Sequence, residues 1–168
     1  MPAVRDRRPG DLEALTQALI EVHRADGYPV EGVADPRAWL TPPGTLHAWV
    51  ATLEDTVVGH ALAMTAQPEI AAVDAWVRRG GDIATTIVGA RLFVAPAGRG
   101  HRLGTTLART LTDWAVHHAL DIVGDVMAKD TTAIAIYERL GWHRLGTAMH
   151  DTGHGDRVPA YLYASREP

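Results

Sequence analysis

Apolar residues recur along the chain with two periods. Leu12, Leu15, Leu19 and Val22 follow at spacings of 3, 4 and 3, which predicts a helix with one buried face. Pro9, Asp11 and Glu13 suit its first turn, and Gly27 and Pro29 suit its end. Leu103, Leu107, Leu111, Trp114 and His118 repeat at 4, 4, 3 and 4, the strongest helical pattern in the sequence. Ala133, Ile136 and Leu140 predict a third helix, capped by Asp130 or Thr131 and stopped at Gly141. Asp35–Leu40 reads as one or two helical turns, and Gln67–Asp82 is ambiguous, with Ile70, Val73 and Trp76 permitting a helix.

Between these lie strand patterns. Leu46–Leu53 and Val57–Thr65 flank the turn Glu54-Asp55 and predict a hairpin. Thr85–Val94 is nearly all apolar, as a strand buried on both faces would be, and Pro96 closes it. Asp121–Ala128 is a further strand, and Trp142–Met149 and Val158–Ala164 flank the glycine-rich turn Asp151–Asp156. With a short extended start at Ala3–Arg5, the order is strand, helices, two strands, helix, strand, helix, strand, helix, two strands. Helices between strands, with hairpins at two places, predict a mixed sheet in an α/β layer fold.

Composition narrows the function. A chain of 168 residues with 46% hydrophobic residues and a net charge of -4 predicts one folded domain, residues 1–168. There is no cysteine, which excludes disulfides, thiolate metal sites and a cysteine nucleophile. No apolar run approaches the roughly 18 residues of a membrane helix, and the N-terminal residues lack a secretory apolar region, so a cytoplasmic protein is expected. A pI near 6.1 argues against a nucleic-acid partner. Of the sixteen Lys and Arg residues only Lys129 is lysine, a bias of coding more than of function. Among the arginines, Arg99 and Arg102 are placed suggestively, and Arg78 and Arg79 less so. The nine histidines include the adjacent pair His117 and His118, and His150 and His154 flanking a turn, but none has partners at metal-ligand spacing, so no metal is expected.

The informative segment runs from Leu92 to Thr105. A glycine-containing loop, Ala97–Gly104, opens the Leu103 helix directly after the apolar strand. Such a loop presents unpaired N–H groups beside the positive end of a helix dipole, an arrangement suited to phosphate or pyrophosphate. Arg99 and Arg102 add charge, and Gly100 and Gly104 let a ligand approach the backbone. An ordinary strand-to-helix turn with solvated arginines is the other reading of the same spacing. The loop is neither a Walker A loop nor a GxGxxG loop.

The segment resembles the acyl-CoA-binding motif of the GNAT family of acyl-CoA-dependent N-acyltransferases. That motif is a strand ending L-x-V-x-P, two residues, then R-G-x-G-x-G. Here it is Leu92-Phe93-Val94-Ala95-Pro96, Ala97-Gly98, then Arg99-Gly100-His101-Arg102-Leu103-Gly104, with Arg102 in place of the middle glycine. A second signature, a strand ending V-x-x-x-N and a helix A-x-x-x-Y-x-x-x-G-F/W, is similar to Val126–Asp130, Ala133, Tyr137, Gly141 and Trp142. Asp130 replaces the commoner Asn, so when ionised it can cap the helix but cannot donate a hydrogen bond. The two signatures cover roughly the second half of the chain.

The resemblance implies a GNAT fold, a mixed and mostly antiparallel sheet flanked by helices, and acetyl-CoA as cosubstrate. Leu92, Phe93 and Val94 would pair their backbone with the pantetheine arm, and an N–H near Leu92 would stabilise the oxyanion. The N–H groups of Arg99, Gly100, His101, Arg102, Leu103, Gly104 and Thr105 would hold the pyrophosphate, with Asp130 nearby. Tyr137 would be the general acid that protonates the departing thiolate. Family members often carry a carboxylate base near Ala90, which this chain lacks. Candidates elsewhere are His60, Glu69, Asp82 and Asp125, or a chain of waters. Tyr28, Trp39, Trp49 and Trp76 are candidate walls of a pocket for a small-molecule or peptide amine, and a homodimer is a further partner that the family allows. The expected reaction is direct attack of a primary amine on acetyl-CoA. The rival readings are an acyl-CoA sensor without turnover and a protein for another phosphorylated ligand such as a nucleotide.

Overall fold

Seven strands and five helices follow the predicted order. In this computed structural model, which describes residues 1–168, they are β1 (Pro2–Asp6), α1 (Leu12–Asp26), α2 (Pro36–Leu40), β2 (Thr45–Leu53), β3 (Thr56–Thr65), α3 (Ala71–Val77), β4 (Thr86–Val94), α4 (Leu103–His117), β5 (Asp121–Met127), α5 (Thr131–Arg139), β6 (His143–Asp151) and β7 (Arg157–Ala164). The ambiguous stretch resolves as the short helix α3. Glu54 and Asp55 both take left-handed φ values of 49° and 65°, the conformation that a two-residue hairpin between twisted strands requires. Helix α1 buries Leu15, Leu19 and Val22 as its spacing predicts and ends at Gly27 in the left-handed region.

One sheet holds all seven strands in the order β1-β2-β3-β4-β5-β7-β6. Every neighbouring pair is antiparallel except β4 and β5. Strand alternation sorts the side chains onto two faces. Gly89 turns to α4, where a Cβ would stand 2.8 Å from Leu111, whereas its neighbour Val88 joins Ala72, Val73 and Trp76 of α3 in a separate core cluster. Ile122 and Tyr163 fall in the large core with α4, and Val123, Leu162 and Ala164 in the small one with α3.

The central feature is where β4 and β5 part. They pair only over Thr86–Val88 with Asp121–Val123. Glycines permit this close start: a Cβ on Gly124 would lie 2.9 Å from the Gly89 carbonyl. Beyond it, β4 continues with β3 alone and β5 with β7 alone. The facing backbones of the two strand ends are left open to each other, and a notch enters the middle of the sheet. Strand β4 also carries a bulge. His60 opposes Phe93 and Leu62 opposes Ala90, so Arg91 and Leu92 together face Ala61. Arg91 takes the extra bend with a φ of 57°.

Candidate functional site

The notch opens into a cleft of about 910 Å³, within the roughly 300–1,000 Å³ of small-molecule sites. Its floor is Leu92, Phe93 and Val94, one wall is the Arg99–Thr105 loop and the start of α4, and the other is Lys129, Asp130 and α5. The backbone N–H groups of residues 100–105 have no backbone acceptor, and the first helical hydrogen bond of α4 runs from Thr106 to Arg102. Gly100 adopts φ +83° with open space where a side chain would begin. Gly104 sits so that a Cβ would meet Ile136 at 3.1 Å, and thus keeps the gap between α4 and α5 clear. Free amides at a helix N-terminus beside a cleft are an arrangement suited to an anion.

Side chains modify this picture. Arg99 lines the cleft but is ion-paired with Asp26 at the end of α1. Arg102, with φ 58°, lines the cleft as well. Lys129, which the sequence did not single out, stands on the opposite wall with its ammonium 3.4 Å from the Asp26 carbonyl. His101 is the one predicted loop residue that does not line the cleft, and it is exposed. Asp130 caps α5 through the N–H of Ala133 at 3.2 Å.

A second, smaller pocket of about 90 Å³ adjoins the cleft. Tyr28, Leu92, Met127, Asp130 and Ala133 line both, so the two cavities meet at the notch. Tyr137 faces the smaller one, with its ring against Trp142 at 4.7 Å. Burial raises the pKa of the phenol, and the nearby Asp130 and Asp125 charges add to the effect. The group therefore keeps its proton at neutral pH. Tyr28 is raised too, chiefly by burial.

The four candidate bases separate clearly. Asp125 lines the small pocket. Glu69 is exposed before α3, and Asp82 caps the turn entering β4 by accepting from the Ala84 N–H; neither lines a cavity with Tyr137. His60 is fully buried and both its nitrogens are engaged. Its Nδ1–H donates to the Arg91 carbonyl at 2.9 Å, and Nε2 accepts from Arg7 Nη1 at 3.0 Å. Arg7 donates in turn to the Leu40 carbonyl at 2.6 Å. Burial holds the imidazole pKa at about 3, so His60 is a neutral strut that pins the β4 bulge, not a base.

The aromatic candidates divide in the same way. Tyr28 and Trp39 line the small pocket and meet edge to face at 5.7 Å. Trp49 packs on Trp114 of α4, and Trp76 is wholly buried beside Thr86, so both belong to the core. Three pocket groups went unforeseen. Arg91 lies over the Trp39 ring at 4.6 Å. Glu31 accepts from His150 Nε2 at 2.6 Å, and Asp125 lies 3.6 Å from His150 Nδ1. The flanking carboxylates, Asp125 first and then Glu31, raise the His150 pKa to about 9, so it is an imidazolium at neutral pH. His154 donates to the Glu31 carbonyl at 2.7 Å and holds the β6–β7 turn over the same loop.

Several solved structures share this architecture. The chain is 17% identical to an N-acetyltransferase from Staphylococcus aureus Mu50, covering 98% of this chain and 97% of that one with a TM-score of 0.73. It is 24% identical to a GCN5-related N-acetyltransferase from Kribbella flavida, with 99% and 98% covered and a TM-score of 0.71. It is 17% identical to Arabidopsis thaliana NAA60 in complex with acetyl-CoA, with 98% of each covered and a TM-score of 0.72. No curated protein sequence matches the chain. The model of the acetyltransferase (GNAT) family matches residues 12–142, a span that contains the notch, the amide-lined loop and Tyr137, and the chain belongs to that family.

Proposed function

We propose that the protein transfers an acetyl group from acetyl-CoA to a primary amine within a ternary complex. The observation that carries this reading is the meeting of two cavities at the open end of β4, one lined by free amides and the other by Tyr137. The large cleft suits the cosubstrate. The loop amides of residues 100–105 would bind its pyrophosphate, and the unpaired edge of Leu92–Val94 would bind the pantetheine arm. Its thioester would then lie at the junction, beside the bulge.

In the reaction the amine nitrogen attacks the thioester carbon. Negative charge develops on the carbonyl oxygen, and a backbone N–H at the bulge near Leu92 stabilises it. The C–S bond breaks and the Tyr137 hydroxyl protonates the leaving thiolate. The amine loses its own proton towards Asp125, the single candidate base that lines the pocket. Holding both reactants at one junction supplies much of the acceleration. With no cysteine in the chain, no acetyl-cysteine intermediate can form, which favours direct transfer.

The test is Tyr137→Phe, assayed by release of CoA thiol with a responsive amine from pH 6 to pH 9. The expected result is a fall in kcat of about 10²-fold or more with acetyl-CoA affinity retained. An unchanged kcat across that range removes Tyr137 from the mechanism.

A further inference from the structure

The small pocket carries an unusual charge. Arg91 is half-buried in a strand whose other residues, Thr86 apart, carry no polar side chain, and the β4 bulge turns it onto Trp39. No carboxylate pairs with it, whereas Arg5, Arg37, Arg78, Arg99, Arg144 and Arg166 each have one. Its Nε is shielded from solvent without an acceptor, and so is Nε1 of the Trp39 beneath it. Buried donors of this kind are normally satisfied. Arg91 lines the small pocket and not the large cleft, so the pyrophosphate of a bound cosubstrate is not its counterion.

The rest of the pocket is charged in the opposite sense. Glu31 and Asp125 flank the single cation His150, and Asp130 stands at the junction. The pocket therefore sets one unpaired guanidinium against a carboxylate-rich wall. A diamine or polyamine would meet Arg91 with like charge and leave it unpaired. A molecule with an amine at one end and an oxyanion at the other would complement both sides. The guanidinium presents its donors in a planar fork that matches a carboxylate or a phosphonate.

Resting on the acetyltransferase reading above, we propose that Arg91 selects acceptors that carry an oxyanion beside the amine, so that the substrate class is amino-acid-like. Arg91 binds the oxyanion, and Trp39 holds the guanidinium in place from below. The amine then points towards the Asp125 side and the notch.

The test compares matched acceptors with the intact protein. Free amino acids, their uncharged amides, amino-phosphonate analogues, and diamines or polyamines are each offered with acetyl-CoA, and thiol release gives kcat/KM. Binding of acetyl-CoA is measured separately by calorimetry. The expected result is that oxyanion-bearing acceptors exceed their amides by about 10- to 100-fold, the effect of one charge-assisted contact. Carboxylates against phosphonates then show which oxyanion fits. Arg91→Met should bring the oxyanion acceptors down to the level of the amides through the acceptor KM, with the acetyl-CoA KM unchanged. Arg91→Lys, which keeps the charge but not the fork, should retain part of the preference. If amides or polyamines react as well as the free acids, the Arg91 assignment is overturned and the transferase reading stands. If acetyl-CoA binds and no acceptor of any class reacts, both fall together.

Discussion

His60→Gln isolates the strut beneath the β4 bulge. In the native protein His60 is fully buried and neutral, donating to the Arg91 carbonyl and accepting from Arg7. Its native pKa is about 3 against an ordinary value of 6.5. The unfolded chain thus takes up a proton near pH 6.5 that the native protein refuses until far lower pH. His60 contributes fully to stability above 6.5, and that contribution is lost as the pH falls towards 3. At 1.36 kcal/mol per unit, the loss by pH 5 is about 2 kcal/mol. Glutamine fills a similar volume and can donate and accept at once, but with poorer geometry, so the variant should be less stable at pH 7 by about 1–3 kcal/mol. Because glutamine does not titrate, that deficit should shrink by about 2 kcal/mol at pH 5. Urea unfolding of both proteins at pH 7 and pH 5 measures it, and all other titrating groups cancel in the difference. A deficit equal at the two pH values refutes the buried neutral imidazole.

Three further outcomes are expected. Gly104→Glu places a negative side chain among the loop amides and between α4 and α5, so calorimetry should show loss of acetyl-CoA binding. Asp130→Ala removes the cap on Ala133 N–H and should cost about 1 kcal/mol of stability by chemical denaturation, with the cleft otherwise intact. His150 has a raised pKa of about 9, so its contribution is complete below 6.5 and is lost as the pH rises through 9. Partial exposure of its carboxylate partners limits that loss to about 1 kcal/mol or less, and Glu31→Gln should reduce it further in thermal melts between pH 7 and pH 10.

Much of the large cleft was legible because it is local in the chain. Strand, loop and helix are consecutive from Leu92 to Thr105, and the chemistry lies in backbone N–H groups that any sequence of that shape presents. The small pocket is built differently. Glu31 comes from the loop after α1, Trp39 from α2, Arg91 from a bulge, Asp125 from β5 and His150 from β6. Single residues brought together from five elements leave no spacing to read. Arg91 was hidden further by the general abundance of arginine, and a period-2 pattern cannot reveal a bulge. His60 was visible as a titratable group, but that Arg7 and the Arg91 carbonyl occupy both its nitrogens depends on contacts 53 and 31 residues away in sequence. Trp49 and Trp76 resemble pocket walls in composition, and only packing assigns them to the core.

The parting of β4 and β5 bears on how long the protein survives. Sheets usually hide their edges at the rim, but this one has two open edges near its centre, where a stray extended peptide could add itself as a strand. An extended ligand in the gap would act as a removable strand and complete the sheet. A ligand held there at 100 times its dissociation constant adds about 2.7 kcal/mol to the resistance of the whole domain to unfolding. Supply of such a ligand would therefore bear on the lifetime of the protein. Without that ligand the molecule would be more open to proteolysis and self-association.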